Sequence, residues 1–226
     1  MRSAVFEHVL CDFDGTLVNS SAGILDTLRS CLDAAGRRPS AGISERLIGP
    51  PLRTMIETAI GSGDAAAIDE IEAAFCREYD EGGYLATQPY PEISEALFEL
   101  RAQGVSLHIV TNKRRVPTLR ILDMLGWSEV FATVSTLDAS APGTSKTEVV
   151  ARLLTRLRAP VSSVAFVGDS LDDAIAARKN GLCFAWASWG FGSESELAVL
   201  GVPVADARHL VRFLLDEEPA RVVLGT

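Results

Sequence analysis

The stretch Val5–Thr16 reads VFEHVLCDFDGT, and it decides the fold. Its apolar run, Val5–Cys11, is expected to form a buried strand that ends on the carboxylates of Asp12 and Asp14. In extended backbone, residues i and i+2 point the same way. Both carboxylates therefore project to one side, and Phe13 packs into the core. Gly15 lets the chain turn sharply and lets backbone N–H groups approach an anion. Open parallel sheets place ligands at the carboxyl ends of their strands. Two neighbouring carboxylates repel, and a shared proton or a bound cation relieves them. The plainer reading is an acidic turn that closes a strand.

Four more segments have the same buried-strand character: Val105–Val110, Val130–Ser135, Val164–Val167 and Leu182–Ala187. Helical periodicity falls between them, over Ile93–Gln103, Val116–Leu125, Thr147–Leu157 and Asp172–Asn180. Gly104, Gly126 and Gly181 stand where helix C-caps belong. Strand and helix alternate, so the chain is an α/β protein with a parallel sheet. One region breaks the alternation. Ser20–Ala35, Ile43–Ile48, Leu52–Ile60 and Ala65–Tyr79 read as consecutive helices with no strand between them. This insertion is much longer than an ordinary crossover. It is expected to form a helical cap over residues 19–89, leaving 1–18 and 90–226 as the core. The tail after Asp216 is expected to be loosely held.

Three further strand ends carry polar groups. Gly168-Asp169-Ser170-Leu171-Asp172-Asp173 follows the fourth strand. Asp173 is four residues from Asp169, about one helical turn, so the two can face each other. Helix capping explains the same residues, and Asp172 belongs mainly to that reading. If the first and fourth strands are neighbours, Asp12, Asp14 and Asp169 converge into a set of hard oxygen donors suited to Mg²⁺. Thr111-Asn112-Lys113 closes the second strand and can hold phosphate oxygens or simply form a turn. Lys146 opens the helix before the fourth strand. It competes with Lys113 as a phosphate-binding cation, and a solvated surface charge is the alternative for either.

The chain has 226 residues, 47% of them apolar and 23% charged, with net charge −9. That acidity argues against a nucleic-acid binder held by phosphate contacts. The four cysteines form no Cys-x-x-Cys pair, so neither a zinc site nor a disulfide framework is indicated. No apolar run approaches membrane-spanning length. A cytoplasmic protein is expected, monomer or homodimer, with no membrane partner.

Asp12-x-Asp14-Gly15-Thr16, Thr111-Asn112, Lys146 and Gly168-Asp169-x-x-x-Asp173, in that order, resemble the phosphatase branch of the haloacid dehalogenase superfamily. The resemblance covers nearly the whole chain. It implies a Rossmann-like core with sheet order 3-2-1-4-5 and an inserted α-helical cap. It implies Mg²⁺ as cofactor and a small phosphorylated metabolite as substrate. Asp12 is then the nucleophile and Asp14 the acid and base. Thr111, Asn112, Gly15 and Lys146 bind phosphate. Asp12, the Asp14 carbonyl and Asp169 hold the metal, with Asp173 behind them. Asn19 and Thr147 depart from the family pattern, which favours Asp and Pro there. Ile48-Gly49-Pro50-Pro51-Leu52-Arg53 resembles a stretch of phosphoglycolate-phosphatase-like members. Arg53 then either faces an anionic leaving group or belongs to an ordinary interhelical loop. A 5′-nucleotidase, a phosphosugar mutase and a non-catalytic binding relative fit the same core. A phosphonate hydrolase would need a cap lysine, and residues Asn19–Gln88 contain none.

Overall fold

The computed structural model describes residues 5–40, 42–61, 64–141 and 143–215. The expected loose tail after Asp216 lies outside them. Among the described residues there are eight strands: β1 His8–Cys11, β2 Val18–Asn19, β3 Gln88–Pro89, β4 Ser106–Thr111, β5 Thr133–Thr136, β6 Val164–Gly168, β7 Cys183–Ala187 and β8 Val202–Val204. The helices are α1 Ser21–Ala34, α2 Leu52–Ile60, α3 Ala65–Glu81, α4 Ile93–Ala102, α5 Arg115–Met124, α6 Lys146–Leu157, α7 Leu171–Lys179, α8 Glu194–Leu197 and α9 Ala207–Leu215.

Six strands form one parallel sheet in the order β5-β4-β1-β6-β7-β8. The first five stand in the expected 3-2-1-4-5 order, and β8 extends the edge. Proline at 203 lacks a ladder donor and is tolerated there because β8 is an edge strand. The sheet buries both faces, as parallel sheets do. Val9 and Cys11 of β1 pack with α4, α5 and α9 on one side. Leu10 packs with α6 and α7 on the other. Phe13 is fully buried, as its place between the two aspartates requires.

Several local expectations shift. Residues 130 and 131 join the core ahead of β5, which begins at Thr133. The expected helix Ile43–Ile48 is only a single 3₁₀ turn, Glu45–Leu47. Between β1 and β4, helices α1, α2 and α3 build a separate apolar cluster that includes Leu28, Leu32, Ile56, Ile68, Ile71 and Phe75. The two chain crossings into this helical unit pair with each other as antiparallel β2 and β3. No described helix is long and apolar enough to cross a membrane.

A histidine pair lies on the inner strands. His108 is buried, with Nε2 3.1 Å from His8 Nδ1 and Nδ1 2.9 Å from Thr133 Oγ1. Burial, and then the neighbouring His8, push His108 down to about 4. The folded protein thus holds His108 neutral while the unfolded chain takes up a proton near pH 6.5. Stability from this group is complete above pH 6.5 and is lost as pH falls toward 4, by up to about 1.4 kcal/mol per pH unit. Urea melts of wild type and His108→Gln across that interval check this. Wild type should lose the more stability, and equal slopes would refute the assignment.

Candidate active site

The site sits at the carboxyl ends of β1, β4 and β6. Because β1 lies between β4 and β6, the ends of all three converge. Asp12 follows β1 directly, and its N–H donates to Val167 O of β6 at 2.9 Å. Asp12, Asp169 and Asp173 are all buried, and each presents an oxygen within 4.8 Å of the others.

Lys146 faces this cluster. It is the first residue of α6, whose start is fixed by a capping box between Ser145 and Glu148. Its side chain is fully buried, with Nζ 2.6 Å from Asp173 Oδ1 and 3.1 Å from Asp12 Oδ1. Burial acts to lower the lysine's pKa, but Asp12 and Asp173 outweigh it and raise it on balance. Asp12 is held well above the usual carboxylate range, first by burial and then by Asp173, with Lys146 opposing. Asp169 is likewise raised, by burial and Asp173.

The second carboxylate has a different neighbourhood. Asp14 is gripped by Lys113 Nζ at 3.0 and 3.1 Å, and Ser20 Oγ donates to it at 2.5 Å. Lys113 also donates to the hydroxyl of Tyr79 on α3 at 2.9 Å. Burial acts to lower Lys113, but Asp14 and Tyr79 raise it on balance. The two lysines are thus divided between the two aspartates of the first motif: Lys146 is shared by Asp12 and Asp173, and Lys113 serves Asp14.

The remaining expected residues are placed as follows. Thr111 is buried, and its Oγ1 accepts from Lys113 N at 3.1 Å. Asn112 Nδ2 donates to Gly49 O at 2.7 Å and Asp172 Oδ2 at 3.1 Å, joining the Gly-Pro-Pro loop to the core. Gly15 has φ +83°, and a Cβ there would stand 2.2 Å from Asp169 Oδ2, so only glycine fits. Asp173 accepts from Ser170 N and Oγ and thereby serves both the α7 cap and Lys146. Asp172 stays at the helix start, as the capping reading has it.

Arg53 stands apart from the site residues in this structure. The structure does not bring it to the cavity beside Asp14. It is paired with Asp69 at 2.6 Å and Glu72 at 3.0 Å on α3, and with Glu57 at 3.6 Å. These three acids hold it on the face of the helical unit.

Sequence reasoning missed the loop after β7. Phe191 N donates to Asp169 Oδ2 at 2.8 Å, and Thr16 Oγ1 donates to Asp169 Oδ1 at 3.0 Å. A Cβ at Gly190 would fall 2.3 Å from Asp169 Cβ, and one at Gly192 would fall 1.8 Å from Asp169 O. The signal was Trp189-Gly190-Phe191-Gly192 itself: two glycines just past a strand mark a close backbone approach.

Two openings reach the site. A cavity of about 60 Å³ holds both Asp12 and Asp14 and runs up against α1, α2 and α3. A wider cleft of about 1100 Å³ holds Lys146, Asp169 and Ser170.

A parallel sheet with paired aspartates beyond its central strand, buried lysines and a helical insertion defines a Rossmann-like α/β protein with an acidic site. The model for haloacid dehalogenase-like hydrolases matches residues 9–187, and the chain belongs to that family. It falls in the phosphoglycolate-phosphatase-like subgroup. It is 29% identical over 185 residues to tyrosine-protein kinase PtkA of Mycobacterium tuberculosis, covering 81% of this chain and 62% of that one. The chain therefore spans less than two thirds of that relative. It is 28% identical over 225 residues to phosphoglycolate phosphatase of Psychrobacter arcticus, covering 94% and 97%. The crystal structure of a predicted phosphatase from Clostridium acetobutylicum superposes with a TM-score of 0.81 at 25% identity, covering 92% and 97%.

Proposed function

We propose that this chain is a Mg²⁺-dependent phosphatase that hydrolyses a small phosphate monoester through Asp12. One observation carries the reading. Asp12 Oδ1 is buried and accepts no hydrogen bond, and its one close cation, Lys146 Nζ at 3.1 Å, is shared with Asp173 at 2.6 Å. Three clustered buried aspartates facing one shared ammonium favour a further cation. The residues fit Mg²⁺: all donors are hard oxygens, and Asp12, the Asp14 carbonyl and Asp169 would hold it. When bound, the cation neutralises charge on the nucleophile and the phosphate.

In this reading, Asp12 attacks phosphorus in line, and the bond to the leaving oxygen breaks as Asp14 gives that oxygen a proton. Asp14 then takes a proton from water, which attacks the aspartyl-phosphate, releases phosphate and restores Asp12. Lys146, Thr111 and backbone N–H groups near Gly15 and Asn112 hold the phosphoryl oxygens. Asp173 orients Lys146 by its 2.6 Å contact. Residues 19–89 act as the cap that excludes water, and 1–18 with 90–226 act as the core.

Phosphate release from p-nitrophenyl and alkyl phosphates, with Mg²⁺ and with EDTA, tests the reading. Activity should require Mg²⁺. Phosphoryl transfer to tyrosine without release from any small ester would overturn it. Asp14→Asn should slow alkyl phosphates by about 10²–10⁴-fold, the usual worth of a positioned acid. It should slow p-nitrophenyl phosphate less, because nitrophenolate needs little protonation. Equal losses on both would remove Asp14 from the acid role.

A further inference from the structure

Three consecutive side chains beyond Thr111 reach from the core into the helical unit. Asn112 Nδ2 donates to Gly49 O at 2.7 Å, Lys113 Nζ to the Tyr79 hydroxyl at 2.9 Å, and Arg114 Nη1 to Asp80 Oδ2 at 3.1 Å. The last two contacts meet neighbours on α3, so they run in step along both segments. Arg114 Nη2 also donates to Asp80 Oδ1, and Arg120 of α5 donates to the Asp80 carbonyl. Asp80 is thus held through its carboxylate and its backbone, one residue from Tyr79. A two-pronged guanidinium–carboxylate pair fixes orientation as well as distance. Its side chains are only 21% and 20% exposed, so water screens it less than an open surface pair.

Lys113 therefore has two holds of different kinds. Its bonds to Asp14, at 3.0 and 3.1 Å, are charge-assisted while Asp14 is a carboxylate. Once Asp14 carries the proton destined for the leaving oxygen, that charge is gone and the attraction lapses. The Tyr79 hydroxyl is unaffected by that proton and continues to accept from Lys113. The Lys113 side chain is 5% exposed, and a buried ammonium left with no partner is costly. Tyr79 is itself buried, and its ring stacks on Phe75 with centroids 5.3 Å apart. It is a rigid mount for the one hydroxyl that Lys113 can keep throughout.

We infer that Tyr79 is a positioning residue for Asp14, and that the Asp80–Arg114 pair sets where Tyr79 stands. Tyr79 keeps Lys113 beside Asp14 before and after proton transfer, so the helical unit reaches the acid and base through this lysine. The inference rests on the phosphatase reading above.

Two variants test it. Tyr79→Phe removes the hydroxyl and keeps the ring on Phe75, and Asp80→Asn removes the charge that Arg114 grips. Each should lower kcat for an alkyl phosphate by at least about tenfold, the scale of one hydrogen bond to a charged group. Each should slow p-nitrophenyl phosphate less, because nitrophenolate needs little protonation. Equal losses on both esters, or a change in KM alone, would overturn the inference. In an Asp14→Asn background neither change should cost anything further, and additive losses would also overturn it. Lysine labelling reads the same contact without turnover. The chain has three lysines, Lys113, Lys146 and Lys179. Under acetic anhydride, exposed Lys179 and buried Lys146 should label alike in all three proteins, while Lys113 should label severalfold faster in both variants than in wild type. No rise at Lys113, with ester hydrolysis by wild type, would overturn the inference and leave the phosphatase reading intact. A rise at Lys113, with no hydrolysis of any small ester by wild type, would overturn the phosphatase reading and leave the hold of Tyr79 on Lys113 standing.

Discussion

Asp12→Asn is expected to reduce phosphate release by at least about 10⁴-fold, the scale on which removal of a covalent nucleophile acts. The amide keeps the shape of the side chain and its place after β1, where the backbone N–H still bonds Val167 O. It cannot attack phosphorus. The variant should fold as well as wild type, or better, because it removes one of three buried carboxylates that stand within 4.8 Å of each other. Melting temperature measured in EDTA, beside turnover measured in Mg²⁺, makes the prediction double-sided. Activity must collapse while stability holds or rises, as a trade between function and stability requires. Near-normal turnover would remove Asp12 from the chemistry. Loss of both activity and fold would make it a structural residue.

The largest effect on stability is expected from Lys146→Met. The Lys146 ammonium is the cation between Asp12 and Asp173, and its side chain is fully buried. Methionine fills similar space but leaves two carboxylates uncompensated. Breaking a buried pair from one side costs about 3–5 kcal/mol. The loss should be greatest in EDTA and partly recovered in millimolar Mg²⁺, because a cation bound by the remaining carboxylates replaces the missing positive charge. Lys113→Met is the contrast. It frees Asp14 and Tyr79 without touching the three-aspartate cluster, so its stability should respond to Mg²⁺ no more than wild type does. Denaturation in the two buffers reads both variants. A Mg²⁺-independent loss for Lys146→Met would show that the cluster does not take the cation.

Much of the architecture was legible because it depends on local apolar patterning. Five buried strands, the helices between them and the long insertion without strands all follow from periodicity, and the sheet order follows the family resemblance. β8 escaped notice because Val202-Pro203-Val204 is three residues long with a proline at its centre. Helix α9 carries a clear stripe at Leu210, Val211, Phe213 and Leu214 and could have been read. β2 and β3 are two residues each, and only their mutual pairing makes them strands. At the site, the aspartates and Lys146 are visible as strand-end and helix-start residues. Their pairing with particular lysines is not, because Asp14 and Lys113 are 99 residues apart. Arg53 shows the opposite failure. Glu57 is one helical turn away, but the closer acids, Asp69 and Glu72, come from the next helix.

The central position of β1 has a consequence for how the molecule is made. His8 meets a neighbour 100 residues later, and Thr16 meets Asp169 153 residues later. At about 5–20 residues per second, a ribosome needs roughly 8–30 s to deliver that second partner. Until then, β1 has an unpaired edge, which is the kind of strand that recruits other chains. Contacts this distant in sequence also slow folding. Asp12, made well before β6, therefore waits for its working environment, and nascent chains released before β6 emerges would be inert and adhesive.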